Sequence, residues 1–197
     1  MHPVEAYIRE RVDPPQREID QLLARMKLRT LQRGALFCEM GQTYHELGLL
    51  LKGKMRVFTL SEEGDDVTID FIFPVNPVAS LAAATAGEPS RVAIEALGEC
   101  ELAVWPFSIR DELMANGDRA WIRLIQMESD RVFRRKNEFA LSRQSKDAAT
   151  RYREALKMFP PTVSNVPQYH LASYLGILPQ SLSRIRARLG RRKKAEP

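Results

Sequence analysis

The sequence predicts an α+β protein in which an N-terminal β-roll (jelly roll) precedes one long helix and a C-terminal helix-turn-helix without a full wing. Short segments of alternating apolar residues run through the first half, as in all-β rolls. A stretch without helix breakers follows, and a helix–glycine–helix pattern closes the chain. We therefore expect three parts, at residues 1–117, 118–144 and 145–197.

The roll is expected to begin after two helical segments. Residues 4–12 and 19–26 carry apolar side chains at helical spacing, and Asp13-Pro14-Pro15 separates them because proline breaks a helix. Period-2 patterns then predict short strands, with glycines at several of the turns. These strands are expected over residues 47–51, 55–60, 67–73, 92–96 and 102–104.

One predicted strand carries acidic side chains beside its apolar ones. Successive strand residues point to opposite faces, so we expect an apolar face and a polar face here. We interpret the nearby carboxylates as a solvated strand face, and a metal site is the alternative. The predicted apolar face holds Val67, Ile69, Phe71 and Phe73, and the polar face holds Asp66, Thr68 and Asp70.

The middle of the chain predicts one long helix over about residues 118–142, because this stretch holds almost no helix breakers. An apolar stripe follows it at heptad spacing, interrupted by Glu128 and Arg135. We expect the stripe to pair with a second copy of the chain; the alternative is that it packs on the chain's own roll. The predicted dimer contacts are Trp121, Ile125, Val132 and Phe139.

Residues 166–189 have the layout of two short helices joined by a tight turn. Pro167 suits a helix start, and Gly176 suits a helix end because glycine adopts the left-handed conformation without strain. Pro179 opens the second helix. A helix-turn-helix places such a second helix in the DNA major groove. The apolar residues of this helix, at i, i+3 and i+7, are Leu182, Ile185 and Leu189.

The polar side of the second helix holds side chains suited to reading bases. Gln and Arg make bidentate hydrogen bonds to adenine and guanine edges. The alternative is an ordinary helical hairpin with a solvated basic face. Together with the start of the first helix, the predicted DNA-binding residues are Gln168, Tyr169, Pro179, Gln180, Ser181, Ser183, Arg184 and Arg188.

Charge is unevenly divided along the chain. Residues 143–197 hold 12 Lys and Arg against 3 Asp and Glu, a net +9, whereas residues 1–142 hold 18 against 22, a net −4. A basic module joined to a mildly acidic one is typical of proteins that bind phosphate backbones. The run 191–194, Arg-Arg-Lys-Lys, is expected to add salt-sensitive attraction to DNA, or to be a solvated tail.

Composition excludes several other classes of protein. No apolar run approaches the roughly 18 residues of a membrane span, and the first residues are too polar for a secretory signal. Cys38 and Cys100 lie in apolar stretches, which predicts buried thiols in a reducing cytoplasm, with a redox sensor as the alternative. His2, His45 and His170 have no catalytic or metal-binding spacing, so we expect neither an enzyme nor a metal site.

The residues resemble the Crp/Fnr family of transcription regulators over about residues 20–190. The resemblance lies in the order of roll, long helix and helix-turn-helix, and in the segment ELGLLLKGKMRVFTLSEEGDDVTIDFIFP. The segment RYREALKMFPPTVSNVPQYHLASYLGILPQSLSRIRARL is similar to a subgroup common in Bacteroidetes. The family implies a cyclic-nucleotide-binding-like roll. It also implies base reading by Gln180 and Arg184, and base or phosphate contacts by Ser181 and Ser183.

The effector pocket departs from the family's pattern. The family grips an effector phosphate with a Gly-Glu pair and an arginine, and Ala79, Ser80 and Ser90 stand at those positions here. Arg91 comes one residue later, which on a strand places a side chain on the opposite face. The sequence therefore specifies no cofactor, and the altered cassette argues against a cyclic nucleotide. The residues matching the cassette are Val78, Ala79, Ser80, Leu81, Ser90 and Arg91.

These expectations combine into a dimeric, sequence-specific DNA-binding transcription regulator that binds a palindromic operator. Double-stranded DNA and a second copy of the chain are the expected partners, RNA polymerase and a small-molecule effector are further candidates, and no membrane is expected. One alternative is a ligand-sensing or scaffolding module with only non-specific DNA affinity. A weaker alternative is a cupin-like enzyme built on the roll, which needs inward-facing metal ligands.

Overall fold

The computed structural model describes residues 1–115 and 118–195, and its elements follow the predicted order. Helices α1 (Pro3–Arg9) and α2 (Gln16–Ala24) come first. The strands are β1 (Lys27–Leu31), β2 (Leu36–Cys38), β3 (Glu46–Lys52), β4 (Met55–Leu60), β5 (Asp66–Ile72), β6 (Asn76–Val78), β7 (Ala93–Ala96) and β8 (Cys100–Pro106). Helix α3 (Leu81–Ala86) lies between β6 and β7.

Helices make up the rest of the described chain. They are α4 (Ser108–Ala115), α5 (Arg119–Ser145), α6 (Ala148–Met158), a short 3-10 helix (Pro161–Asn165), α7 (Gln168–Leu175) and α8 (Pro179–Ala195). No helix within residues 1–115 and 118–195 combines the length and the apolar character needed to cross a membrane. The side chains of the basic run 191–194 lie outside the described residues.

The strands form two antiparallel four-stranded sheets, ordered β1-β8-β3-β6 and β2-β7-β4-β5. Leu50, Met55 and Leu102 are fully buried in the core between them. The neighbouring Leu49 is also buried, in a second cluster where α1, α2 and α5 cover the outer face of the first sheet. Strand β3 is therefore buried on both faces, because helices take the place of solvent on one of them.

A β-bulge divides β5 into two halves of opposite orientation. Val57 pairs with Asp70 and Phe58 pairs with Thr68, so Ile69 is an extra residue without a partner on β4. An extra residue reverses the faces that follow it. Phe71 and the following Phe73 consequently pack against the C-terminal helices. The single apolar face predicted for residues 67–73 is wrong for this reason.

Helix α5 spans the molecule from the roll to the C-terminal helices. Its 27 residues make it about 40 Å long at the usual rise of an α-helix. The Asp118 side chain caps its first turn by accepting the N–H of Ala120 at 2.7 Å. The predicted helix is confirmed, and it extends three residues beyond the expected end.

The C-terminal helices pack directly on β5. Phe71 and Phe73 share one cluster with Phe159 and Tyr174, with ring centroids 5.5–5.7 Å apart for the pairs Phe71–Phe159, Phe71–Tyr174 and Phe73–Phe159. The backbone N–H of Thr68 donates to Ser173 Oγ at 2.9 Å. The roll and the helix-turn-helix thus share a continuous apolar core through β5 and α7.

Candidate DNA-binding helix and ligand cavity

Helices α7 and α8 form the predicted helix-turn-helix. Gly176 ends α7 in the left-handed conformation, at φ 64°, and the N–H of Ile177 donates to the carbonyl of Ala172 at 3.0 Å. The positive φ is what favours glycine at position 176, because the nearest neighbour of an added Cβ would be the flexible end of the Arg143 side chain, which can move. Ala172 and Leu182 are fully buried where the two helices cross.

The polar side of α8 is open to solvent. Gln180, Ser183, Arg184 and Arg188 are exposed, and Ser181 is half-buried. Burial of Leu182 and Ile185 orients the helix, because these side chains fix which side faces the protein. The predicted base-reading side chains are therefore accessible to a duplex, although their contact with DNA stays a prediction.

The start of α7 supports the start of α8. Gln168 Nε2 donates to the carbonyl of Pro179 and to Ser183 Oγ, both at 2.6 Å. Tyr169 is 54% exposed, with its ring 4.0 Å from the ring of His170. Gln168 thus makes a structural contact between the helices that its predicted DNA-binding role did not include.

A charge cluster centred on the buried Arg56 lies beside α7, with members on β4, β5 and β7. Arg56, 5% exposed, donates from Nε to Glu95 at 2.6 Å and from Nη2 to Asp66 at 2.6 Å. Burial and the nearby Arg56 lower the pKa of His170 to about 4, so this imidazole is neutral at pH 7. Sequence reasoning missed the cluster; an arginine inside the apolar strand 55–60 was the available sign.

A cavity of about 790 Å³ lies between the roll and α5. Most of its wall is aliphatic or aromatic, which makes it suitable for a small-molecule ligand. Both tryptophans of the chain, Trp105 and Trp121, contribute to the wall. Other apolar residues of the wall are Leu49, Val57, Ile69, Ile72, Leu81, Val92, Leu124, Ile125, Val132 and Phe139.

The predicted effector cassette is only partly exposed to this cavity. Ala79, Ser80, Leu81 and Arg91 line it, whereas Val78 and Ser90 are buried behind it. Arg91 was expected to point away from the pocket, and this is wrong, because its exposed side chain forms part of the cavity wall.

The hydroxyl groups of the two cassette serines are hydrogen-bonded to each other. Ser80 Oγ and Ser90 Oγ are 2.7 Å apart, and Ser90 Oγ also donates to the carbonyl of Val92 at 2.7 Å. Cys38 lies beside them, and burial raises the pKa of its thiol. Cys100 is likewise buried with a raised pKa, so neither cysteine has the lowered pKa of a reactive thiolate.

The predicted dimer stripe faces the chain's own roll. Ile125, Val132 and Phe139 line the cavity, and Trp121 is 1% exposed with its Nε1 donating to Glu18. This arrangement matches the alternative interpretation of the heptad stripe, in which it packs on the chain's own roll instead of on a second copy. The other side of α5 carries exposed apolar residues, namely Met127 (40%), Phe133 (65%) and Leu141 (63%).

An ion pair closes the end of the cavity nearest α7. Arg135 Nη2 on α5 lies 2.6 Å from Asp70 Oδ2 on β5, and Tyr174 of α7 lines the same region. Burial raises the pKa of Asp70, and the nearby Arg135 opposes that rise. The prediction that Asp70 lies on a solvated strand face is wrong, because the bulge at Ile69 turns it into the cavity.

Metal-binding clusters are absent from the described ranges, 1–115 and 118–195. No three His, Cys, Asp or Glu residues there come close enough together to hold an ion. A cupin-like centre on the roll therefore has no ligand set within these residues.

Comparison with known proteins identifies the roll. Residues 28–116 match the cyclic nucleotide-binding domain family. No curated protein matches the chain in sequence.

Several solved structures share the fold of almost the whole chain. FixK2 from Bradyrhizobium japonicum superposes with a TM-score of 0.71 at 16% identity, covering 85% of this chain and 86% of that one. The c-di-GMP-responsive global regulator CLP from Xanthomonas campestris gives 0.69 at 14% identity, covering 91% and 93%. A Crp/Fnr transcriptional regulator from Eubacterium rectale gives 0.67 at 17% identity, covering 88% and 82%.

Proposed function

We propose that this chain, which has the Crp/Fnr fold with a cyclic nucleotide-binding domain at residues 28–116, is a sequence-specific DNA-binding transcription regulator. The observation that carries the proposal is the orientation of α8. Its apolar side is anchored on α7, and its amide and guanidinium groups at Gln180, Arg184 and Arg188 are exposed. These groups are suited to the edges of adenine and guanine in the major groove.

The charge distribution supports DNA as the partner. The net +9 of residues 143–197 supplies attraction to phosphates, while the roll and long helix are mildly acidic. Attraction to phosphates alone is independent of sequence, so it also fits the alternative of a scaffolding module with only non-specific affinity.

A gel-shift titration at several salt concentrations separates these two functions. The probe is a palindromic duplex selected from random DNA, and the control is the same duplex with both half-sites scrambled. We expect a preference of about a thousandfold or more for the selected site at moderate salt. Equal affinity for the two duplexes, falling steeply with salt, would favour the scaffolding alternative.

We also propose that the protein acts as a dimer, since helix-turn-helix proteins commonly bind two half-sites one helical turn apart. The interface expected from sequence, around Val132, lines the cavity, whereas Phe133 is 65% exposed on the same helix. We therefore expect Phe133→Asp to give monomers in light scattering and Val132→Asp to leave the dimer intact. The reverse result would return the interface to the stripe containing Val132.

Three further expectations belong with this proposal. The effector is inferred not to be a cyclic nucleotide, because Ser90 stands at the phosphate-binding arginine position and is paired with Ser80. Arg91 lines the cavity one residue later, but its side chain is exposed to solvent rather than held at the cassette position. RNA polymerase as a partner and a cytoplasmic location stay predictions. So does the absence of catalytic activity.

A further inference from the structure

We infer that the cavity beside α5 binds an apolar carboxylate, a molecule with a hydrocarbon or aromatic body and one acidic group that pairs with Arg135. This inference deepens the proposed function by naming the chemical class of its effector. It depends on three features of the cavity: its apolar wall, the partly satisfied guanidinium of Arg135 at one end, and its contact with α7.

The apolar wall favours a ligand with few polar groups. Side chains such as Leu49, Val92 and Leu124 can exclude water from a hydrocarbon but cannot hydrogen-bond a sugar or a purine. The two cassette serines are engaged with each other, so their hydroxyls are not directed to a ligand. A nucleotide would therefore bury polar atoms without partners along most of this wall.

The end of the cavity near α7 carries an incompletely satisfied guanidinium. Arg135 Nη2 lies 2.6 Å from Asp70 Oδ2, but Arg135 Nε is buried and has no hydrogen-bond acceptor among the described residues. A guanidinium has five N–H donors and can hold carboxylates on two edges. A ligand carboxylate that displaces Asp70 would therefore gain a guanidinium whose Nε–H has no acceptor within the described residues.

The charged side chains of the wall are positive in balance. Arg91, Arg110, Arg135 and Lys136 line the cavity, against Asp70, Glu88 and Glu128. Glu128 lies 2.6 Å from Arg131 and 3.4 Å from Arg11, although its Oε2 makes no hydrogen bond within the described residues. Asp70 is the acidic group that meets Arg135, so this end of the cavity favours an anion over a cation.

The position of the acidic group links the ligand to the DNA-binding helices. A carboxylate on Arg135 competes with Asp70, which directly precedes Phe71 on β5. Phe71 contacts Tyr174 of α7, and Tyr174 itself lines the cavity. Ligand binding therefore acts on the strand that holds α7, and it changes the orientation of the DNA-binding helices through that contact.

Tryptophan fluorescence offers a direct test, because the chain has two tryptophans and both line the cavity. The chain of residues 1–197 is titrated with decanoate, with 1-decanol and with cyclic AMP, and free tryptophan corrects for quenching. We expect saturable binding of decanoate, at least about tenfold weaker binding of decanol, and no response to cyclic AMP. Equal affinities for decanoate and decanol, or a tighter response to cyclic AMP, would overturn the inference.

Two variants locate the acidic group. Arg135→Gln is expected to weaken decanoate binding about tenfold or more while leaving decanol binding unchanged. The matched control is Arg134→Gln, which alters an exposed neighbour on α5. Since Arg135→Gln leaves Asp70 without its cation and can impair folding, the second variant is Asp70→Asn, which keeps Arg135 and removes its competitor. Tighter decanoate binding by Asp70→Asn is expected, and weaker binding would contradict the assignment.

The test is independent of DNA. Decanoate binding by a protein that shows no preference for its selected duplex would uphold the ligand class and contradict the proposed regulator. Specific DNA binding without any response to decanoate would uphold the proposed regulator and contradict the ligand class.

Discussion

The two helices of the helix-turn-helix differ sharply in how they meet the rest of the protein. Helix α7 buries five of its eight residues, His170, Leu171, Ala172, Tyr174 and Leu175, against β5 and neighbouring helices. Helix α8 buries Leu182 and Ile185 and leaves its polar side exposed. Helix α7 therefore holds the helix-turn-helix on the roll, and α8 presents its polar side to solvent.

This difference indicates where each kind of mutation will act. Changes on the α7 side should alter stability and the position of the module, because they disturb packing between the roll and the C-terminal helices. Changes on the α8 side should alter DNA recognition with little effect on folding, because exposed side chains contribute little to stability. The following predictions test that separation.

Phe71→Ala should have the largest effect on stability. Phe71 is fully buried and contacts Phe159 and Tyr174, so its removal leaves a cavity between the roll and α7. We expect the free energy of unfolding in urea to fall by about 3–5 kcal/mol. The control is Leu60→Ala, at a residue 51% exposed on β4, and an equal loss in both variants would contradict the packing role.

Acidification should weaken the α7 side through His170. Its pKa in the folded protein is lowered to about 4, first by burial and then by Arg56, from an ordinary value of about 6.5. Between these values the unfolded chain binds a proton that the folded chain does not. Stability contributed by the neutral imidazole is thus present above pH 6.5 and is lost as the pH falls toward 4, by about 3 kcal/mol at most.

Urea unfolding from pH 7.5 to 4.5 checks this prediction. His170→Gln should reduce the loss of stability on acidification, whereas His45→Gln, at an exposed histidine, should leave it unchanged. Identical pH profiles for His170→Gln and the parent protein would show that the buried imidazole does not titrate as described. The negative charges of Asp66 and Glu95 raise the pKa of His170 and so oppose the effect of Arg56 on it.

Arg184→Ala should affect DNA recognition and spare folding. Loss of a bidentate base contact is expected to cost about 1–3 kcal/mol at the selected site, with little change on scrambled DNA. Arg153→Ala, at an exposed arginine on α6, is the charge-matched control. If both variants lose affinity equally on both duplexes, Arg184 contacts phosphate rather than bases.

Ser173→Ala should give the smallest effect. It leaves the N–H of buried Thr68 without its acceptor, which costs about 1–2 kcal/mol in unfolding free energy. Ser164→Ala, at an exposed serine, should be neutral. A neutral Ser173→Ala would mean that this hydrogen bond does not contribute to holding α7 on β5.

Local patterns in the sequence predicted the opening helices, the longer strands and the C-terminal helices, but they did not predict β1, β2, β6, α3 or α4. Strand β4 has the predicted bounds, and Gly176 and Pro179 mark the turn between α7 and α8 as expected. These features follow from helix and turn preferences of a few neighbouring residues, and the fold they predicted is confirmed.

The face of β5 was not predictable in the same way. Strict alternation placed Asp70 on one side and Phe71 on the other, but the bulge at Ile69 reversed both. A bulge depends on pairing with β4, which a single sequence does not reveal. The ion pair of Asp70 with Arg135 and the packing of Phe71 on α7 were missed for that reason.

Packing between parts of the chain that are distant in sequence also determines the surroundings of the heptad stripe on α5 and of the pair Arg56 and His170. The heptad stripe on α5 is compatible with either a partner helix or the chain's own roll, and periodicity cannot distinguish them. Arg56 and His170 are 114 positions apart in the chain, and only the packing of α7 on the roll brings them together. The DNA-binding residues predicted from sequence stay predictions.

The unpaired Ile69 affects which residues of β5 face the interior of the roll. Ile69 and Asp70 both line the cavity, because β5 has two residues there opposite the single Val57 of β4. The next residue, Phe71, faces α7, so the carboxylate that meets Arg135 and the ring that meets Tyr174 are neighbours in the chain. A backbone shift at this one place would therefore move side chains on both sides of the sheet.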